Sequence, residues 1–471
     1  MLIRSTAIFA LAGGTALFAL PSTLSGGVVH PLVPALLARR AIPAVGSYAH
    51  LADVTMPKVN DVPKGQAGIR DPLSELPSGT AFREATASVA SPSTSDAATS
   101  KHRTCLGTAL LSSLGKTRFM VGFSSPSDAV ALEAPFDIRY QYIAGVIESS
   151  GQKCVDHRWW GCWWQDLSLP AGSAFPSGYI AAAQRLKEIP MFTYYMILNA
   201  TGGTEGPAEV RNANSVAIMS KYLADWRYFV EKIGSSRVLL HIEPDFWGFA
   251  QQVSSDSHAI PAAVASADPA DCSGYENSIA GLGECMVHIV RAHAPNALVG
   301  LHASGWATGI DALFNKSVQL DIAKEAAKVA AFLASAGGSQ ADFIVVEMSD
   351  RDAGYYQSVG QDRWWDAKNA KLPDFAQDLA WVKALAESMG KPALWWQVPV
   401  GNMNLSDTFG RWRDNRVQYF FDHPSEFASA GGVGIVFGAG DSGQTDPSSD
   451  KGYLVSRVKS YASGGGIPAC P

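Results

Sequence analysis

From residue 118 onward the chain alternates between short apolar runs and amphipathic stretches, which limits the available folds more than any other feature of the sequence. The runs are RFMVGF, FDIRYQYIAG, MFTYYMIL, VLLHIEPD, ALVGLHASGW, DFIVVEM, ALWWQVPVG and GVGIVFGAG. Between most of them apolar residues recur at helical spacing, over 179–188, 215–232, 276–293, 320–336, 374–389 and 415–430. In 215–232, for example, Met219, Tyr222, Leu223, Trp226, Phe229 and Val230 fall on one face. A strand apolar on both faces must be covered on both, and strands alternating with helices give parallel βαβ units. Eight such units predict a closed (β/α)8 barrel of TIM type; seven, with one run misassigned, would leave it slightly open or distorted.

In such a barrel the working residues sit at the carboxyl ends of the strands. The second run ends in Tyr140, Gln141 and Tyr142, the third in Tyr194, Tyr195 and Asn199, the fourth in His241, Glu243 and Asp245. The later runs supply His302 and Trp306, Glu347 and Asp350, then Trp395, Trp396 and Gln397, with Asp441 after the last. Carboxylates, amides and aromatics therefore converge on one rim. Glycoside hydrolysis needs that set: a protonated acid at the leaving oxygen, a second carboxylate for water or the oxocarbenium, and flat apolar faces under sugar rings. Asp245, Glu243, Asp441 and Glu347 are the candidate catalytic groups. Tyr195, His302, Trp306, Asp350, Trp395, Trp396 and Gln397 are the candidate sugar contacts. His241 reads as a core histidine, whereas the four indoles of CVDHRWWGCWWQD read as a groove wall. No GxGxxG or phosphate loop is visible and no cysteine pair has CxxC spacing, so no cofactor or metal is expected.

The stretch RVLLHIEPDFWGFAQQ, with the helix YLADWRYFVEKIGSS before it and YENSIAGLGECMVHIVRAHAPNALVGLHASGWATG after it, resembles the central third of glycoside hydrolase family 6, the inverting cellulases. The resemblance implies a polysaccharide-cleaving enzyme whose general acid is Asp245, with a further acid at or beside Asp441; on the residues themselves Glu243 reads as the close supporter of Asp245, and Asp441 or Glu347 as the base. FIVVEMSDRDAGYY, WWQVPVGNMNLSDTFGRWRDNRV and FGAGDSGQTD are similar to later segments of that family. The chain departs from the family after the third run. There YYMILNATGG has no aspartate, the position falls near Thr201, and Glu205 is the nearest replacement. Two other readings stay open: a retaining pair formed by Asp245 and Glu347, and a glycan-binding barrel without a competent acid pair. Inversion needs carboxyl groups about 6.5–9.5 Å apart and retention about 5 Å, so their separation decides.

The first 27 residues, MLIRSTAIFALAGGTALFALPSTLSGG, have one arginine, a short apolar stretch and small residues, the pattern of a secretory signal. Residues 28–103 are rich in Pro, Ser, Thr and Ala without period and read as a leader, leaving 104–471 as a single catalytic domain. Six cysteines in an exported chain allow three disulfides, and Cys272 with Cys285 is the expected pair beside the proposed acid. A net charge of -6 gives no basic footprint for nucleic acid. The expected partner is a poly- or oligosaccharide, met by a monomer that is secreted, periplasmic or on the cell surface and not inserted in a membrane.

Overall fold

The computed structural model describes residues 105–124, 128–147, 153–201, 205–438, 440 and 443–469. The expected signal and leader, and the candidate Asp441, lie outside them. All eight apolar runs are strands: β1 Met120–Ser124, β2 Ile138–Ile143, β3 Ile189–Tyr194, β4 Leu239–Ile242, β5 Leu298–Ala303, β6 Phe343–Glu347, β7 Ala393–Val398 and β8 Gly432–Phe437. Each pairs in parallel with the next, and β1 pairs with β8. The barrel is closed, and the seven-stranded alternative does not hold.

The period of two explains how one strand serves two layers. On β4, Leu239 joins Met120, Ile138, Met191, Phe343 and Leu394 in an inner cluster, while Leu240 and Ile242 belong to the larger cluster beneath the helices. Five of the expected helices appear close to their predicted bounds, including Val216–Ile233 and Phe375–Met389. The sixth is divided into Arg416–Asp422 and Pro424–Ser429, because Pro424 has no N–H to continue a helix but suits a first turn. The run MFTYYMIL is strand only as far as Tyr194, and Ile197 begins a short helix to Thr201.

Cys272–Cys285 is a disulfide, as expected, and Cys154–Cys162 is a second. Among the described residues no cysteine is free, and no helix is long and apolar enough to cross a membrane. The indoles bracketed by Cys154 and Cys162 are not a groove wall. Trp159 and Trp160 are buried, and both donate Nε1–H to the Asp225 carboxylate on helix Val216–Ile233, at 2.6 and 3.0 Å. Tyr194 donates to the same carboxylate at 2.6 Å. A carboxylate so deep needs hydrogen-bond donors in place of water, and these three supply them.

Candidate active site

The site begins where β4 stops obeying its period. His241 is the last inward residue of the ladder; the backbone then takes positive φ at Glu243 (46°) and at Asp245 (67°). For residues with a Cβ such conformations cost about 1–3 kcal/mol each and persist only where the surroundings impose them. The consequence is that the two carboxylates part company. Glu243 turns away from the mouth: its Oε1 accepts the N–H groups of Met196 and Ile197 at 3.1 Å and the Tyr222 hydroxyl at 2.7 Å. It ties the end of β3 to helix Val216–Ile233 and is fully buried. The charges that press on Asp245 are others.

Asp245 opens helix Phe246–Val253 and faces a cleft of about 300 Å³, also lined by Glu205, Phe249, Trp306, Glu347, Asp350 and Arg363. Its side chain remains 28% exposed. Burial, then the carboxylates of Glu205, Asp350 and Glu209, push it up to about 8. Glu347 ends β6 on the same cleft and is also pushed up, by burial first and then by Asp245 and Asp350. One oxygen of each carboxylate and a ring nitrogen of His302 all lie within 4.8 Å of one another. Like charges this close do not both ionise, so the pair shares a proton. Gln397 acts on Glu347 against that rise. Its Nε2 donates to Glu347 at 2.8 Å while its Oε1 accepts from the Tyr142 hydroxyl. An amide donor favours the ionised form of Glu347, and burial with the neighbouring carboxylates outweighs it. Gln397 reaches this place through a register shift in β7 and a φ of 59°.

Beneath the pair runs a buried chain of polar side chains. Thr193 Oγ1 lies 3.2 Å from His241 Nδ1, and His241 Nε2 lies 3.1 Å from His302 Nδ1. Burial drives both imidazoles down, His302 to about 3, so both are neutral. His302 Nε2 has no hydrogen-bond partner and lies 4.0 Å from Asp245 Oδ1.

The structure thus brings together Asp245, Glu347, His302, Trp306 and Asp350. Tyr195 joins at the edge, its hydroxyl donating to Glu205 at 2.6 Å, and Gln397 sits one bond behind Glu347. Two expected sugar contacts are corrected. Trp395 points outward into the helix layer, where its Nε1 donates to Asp378 at 3.1 Å and its ring meets Phe427. Trp396 points inward but is covered, lying edge-on to His241 and His302 as the floor of the site. Sequence reasoning passed over Phe249, Phe314, Tyr356 and Arg363. Phe249 packs on Trp306 with ring centres 4.6 Å apart, and Tyr356 donates to Asp350. Arg363 bonds Asp311 at 3.0 Å and lies 4.3 Å over the Phe314 ring. For Tyr356 and Arg363 the signal available was the density of aromatic and charged residues in SDRDAGYYQSVGQDRWW, after the sixth run.

Fold and site together define a closed (β/α)8 barrel with a carboxylate pair at its carboxyl rim. No protein-family model matches the chain, and no curated protein matches it by sequence. Among solved structures it is similar to a modular family 26 endo-β-1,4-mannanase from Cellulomonas fimi, at 14% identity and TM-score 0.45, covering 78% of this chain and 76% of that one. An endo-1,4-β-D-mannanase from Thermotoga petrophila matches at 12% identity and TM-score 0.41, over 73% of this chain and 99% of that one. The endoglucanase Cel6 from Mycobacterium tuberculosis matches at 14% identity and TM-score 0.27, over 60% and 73%. The resemblance to family 6 is therefore not specifically supported, and the likeness is one of barrel fold. Function rests on the geometry of the site itself.

Proposed function

We propose that this protein is a secreted glycoside hydrolase that cleaves a polysaccharide, a β-linked glucan or related glycan, with Asp245 as general acid and Glu347 as nucleophile. The observation that carries the reading is the approach of the two carboxylates, whose oxygens come within 4.8 Å across the cleft. So close an approach of oxygens supports retention, where the groups stand about 5 Å apart, over inversion, where they stand about 6.5–9.5 Å apart. The retaining pair of Asp245 and Glu347 is therefore proposed rather than the inverting mechanism implied by the resemblance.

In the proposed chemistry the shared proton rests on Asp245, because the Gln397 amide favours an ionised Glu347. Glu347, ionised under the Gln397 amide, attacks the anomeric carbon while Asp245 gives its proton to the departing glycosidic oxygen. Asp245, now a carboxylate, then takes a proton from water, whose oxygen displaces Glu347 from the glycosyl ester. Trp306 and Phe249 offer aromatic faces to sugar rings, and Glu205 and Asp350 offer acceptors to hydroxyls. The disulfides fit an oxidising compartment. Incubation with a panel of β-glucans, mannans and xyloglucan, with the first product's anomer read by NMR, tests the proposal. Release of the retained anomer is expected. An inverted product would remove Glu347 as nucleophile, and the absence of cleavage on every glycan would remove the hydrolase.

A further inference from the structure

We propose that Asp245, His302 and Glu347 also form a binding site for a single divalent transition-metal ion of the zinc class, and that its occupancy and glycan cleavage exclude one another. The inference goes beyond the hydrolase reading: it shares with it the approach of the two acids, adds His302 to them, and its exclusion of cleavage rests on that reading. Three side chains of the right type converge: an oxygen from each acid and an imidazole nitrogen, all within 4.8 Å. The nitrogen is Nε2, since Nδ1 is engaged by His241 at 3.1 Å. Nε2 is buried, has no partner, and is aimed at Asp245 Oδ1 from 4.0 Å, on a residue only 1% exposed. A buried nitrogen without a partner is costly, and a ligand supplies what the protein withholds.

The supporting residues fit the same ligand. With Nδ1–H donated to His241 Nε2, and His241 Nδ1–H donated to Thr193 Oγ1, His302 presents a lone pair at Nε2. Metal-bound histidines are oriented in this way through the other ring nitrogen. Two carboxylates and one imidazole, with an open side toward a cleft, give three protein ligands and a fourth position for water, the arrangement zinc accepts. Imidazole disfavours magnesium or calcium, which prefer oxygen alone. Ligand atoms around zinc stand roughly 3.4 Å apart at bonds of about 2.0–2.1 Å, so closure needs side-chain movement on the order of 1 Å. Asp245, partly exposed, has that freedom. Competing cations are few, because Arg363, the one cationic side chain lining the cleft among the described residues, is held by Asp311 at 3.0 Å. A metal that takes an oxygen from each acid occupies the two groups that must meet the glycosidic bond, so cleavage stops.

Titration calorimetry of Zn²⁺ into the chelator-treated full chain, with Co²⁺ absorption reporting coordination, tests this directly. One equivalent should bind. Asp245→Asn, at the rim where folding is not at risk, and His302→Gln should each weaken binding roughly 100-fold, the upper end of what even supporting residues contribute. His258→Gln, which removes an exposed imidazole paired with Glu276, should leave binding unchanged. Equal binding by Asp245→Asn and the parent chain would overturn the site, as would the absence of a stoichiometric ion. Glycan cleavage should fall with added Zn²⁺ and return with chelator; loss of cleavage on chelation would overturn the exclusion. Stoichiometric binding sensitive to Asp245, in a chain that cleaves no glycan, would support the metal site while removing the hydrolase.

Discussion

Asp245 and Glu347 share a cleft, yet their surroundings assign them different work. Both have neighbouring carboxylates, and Glu347 alone of the two accepts from an amide, that of Gln397. Replacing Asp245 with Asn keeps the shape and removes the proton, so turnover of polysaccharide should fall by about 10²–10⁴, with a much smaller loss on aryl glycosides whose leaving groups need no acid. Glu347→Ala should be inactive on both, and added azide should restore turnover of the aryl glycoside by replacing the lost nucleophile. Steady-state rates on the two substrate types decide the matter; equal losses on both for Asp245→Asn would remove it as the acid. At this scale the sequence was partly readable. Asp245 and Glu347 stand at the ends of apolar runs, where a barrel puts its chemistry. Trp395 and Trp396 show the limit, because adjacent strand residues face opposite sides and at most one could look inward. Even that one is covered, and burial by distant residues leaves no local mark.

At the scale of elements, the strands were readable because a parallel strand covered on both faces is apolar throughout. The helix Phe246–Val253 was hidden for the same reason: FWGFAQQV is as apolar as the run before it, and its first turn depends on positive φ at Asp245, a residue type that gives no warning. Its packing is close. A Cβ on Gly248 would come within 2.9 Å of Ser304 Oγ and of the Trp306 ring. Gly248→Ala should therefore push this helix, and Asp245 at its start, away from β5. A destabilisation of about 1–3 kcal/mol is expected from overpacking. Displacement of the acid on the order of 1 Å should lower kcat/KM about 100-fold. Urea midpoints and kcat/KM measured together test this, and an unchanged kcat/KM would mean that the helix does not position the acid.

Over the whole molecule the striking of a balance between buried acids and buried histidines sets how stability follows pH. Burial pushes Asp225 up to about 6 and Asp378 and Glu209 up to about 7. A carboxyl raised in the folded state binds its proton more tightly there than in the unfolded chain. Its contribution is full below the ordinary value near 3.8–4.5 and is lost as pH rises through 6 to 7. The buried histidines act in the opposite sense. His302, pushed down to about 3, costs stability once the unfolded imidazole takes up a proton below its ordinary 6.5. Between pH 8 and pH 6.5 the carboxyls therefore act largely alone, and the barrel should become more stable as pH falls across that window. Asp378 isolates one contribution: its Oδ2 accepts from Trp395 while Oδ1 is buried without a partner. Asp378→Asn cannot titrate, so its gain in stability from pH 8 to pH 6.5 should be smaller than that of the parent by about 1 kcal/mol. Urea unfolding of both proteins at the two pH values measures the difference. Equal gains would mean that Asp378 takes up no proton in this window, and a parent less stable at pH 6.5 than at pH 8 would reverse the sign argued for the whole set.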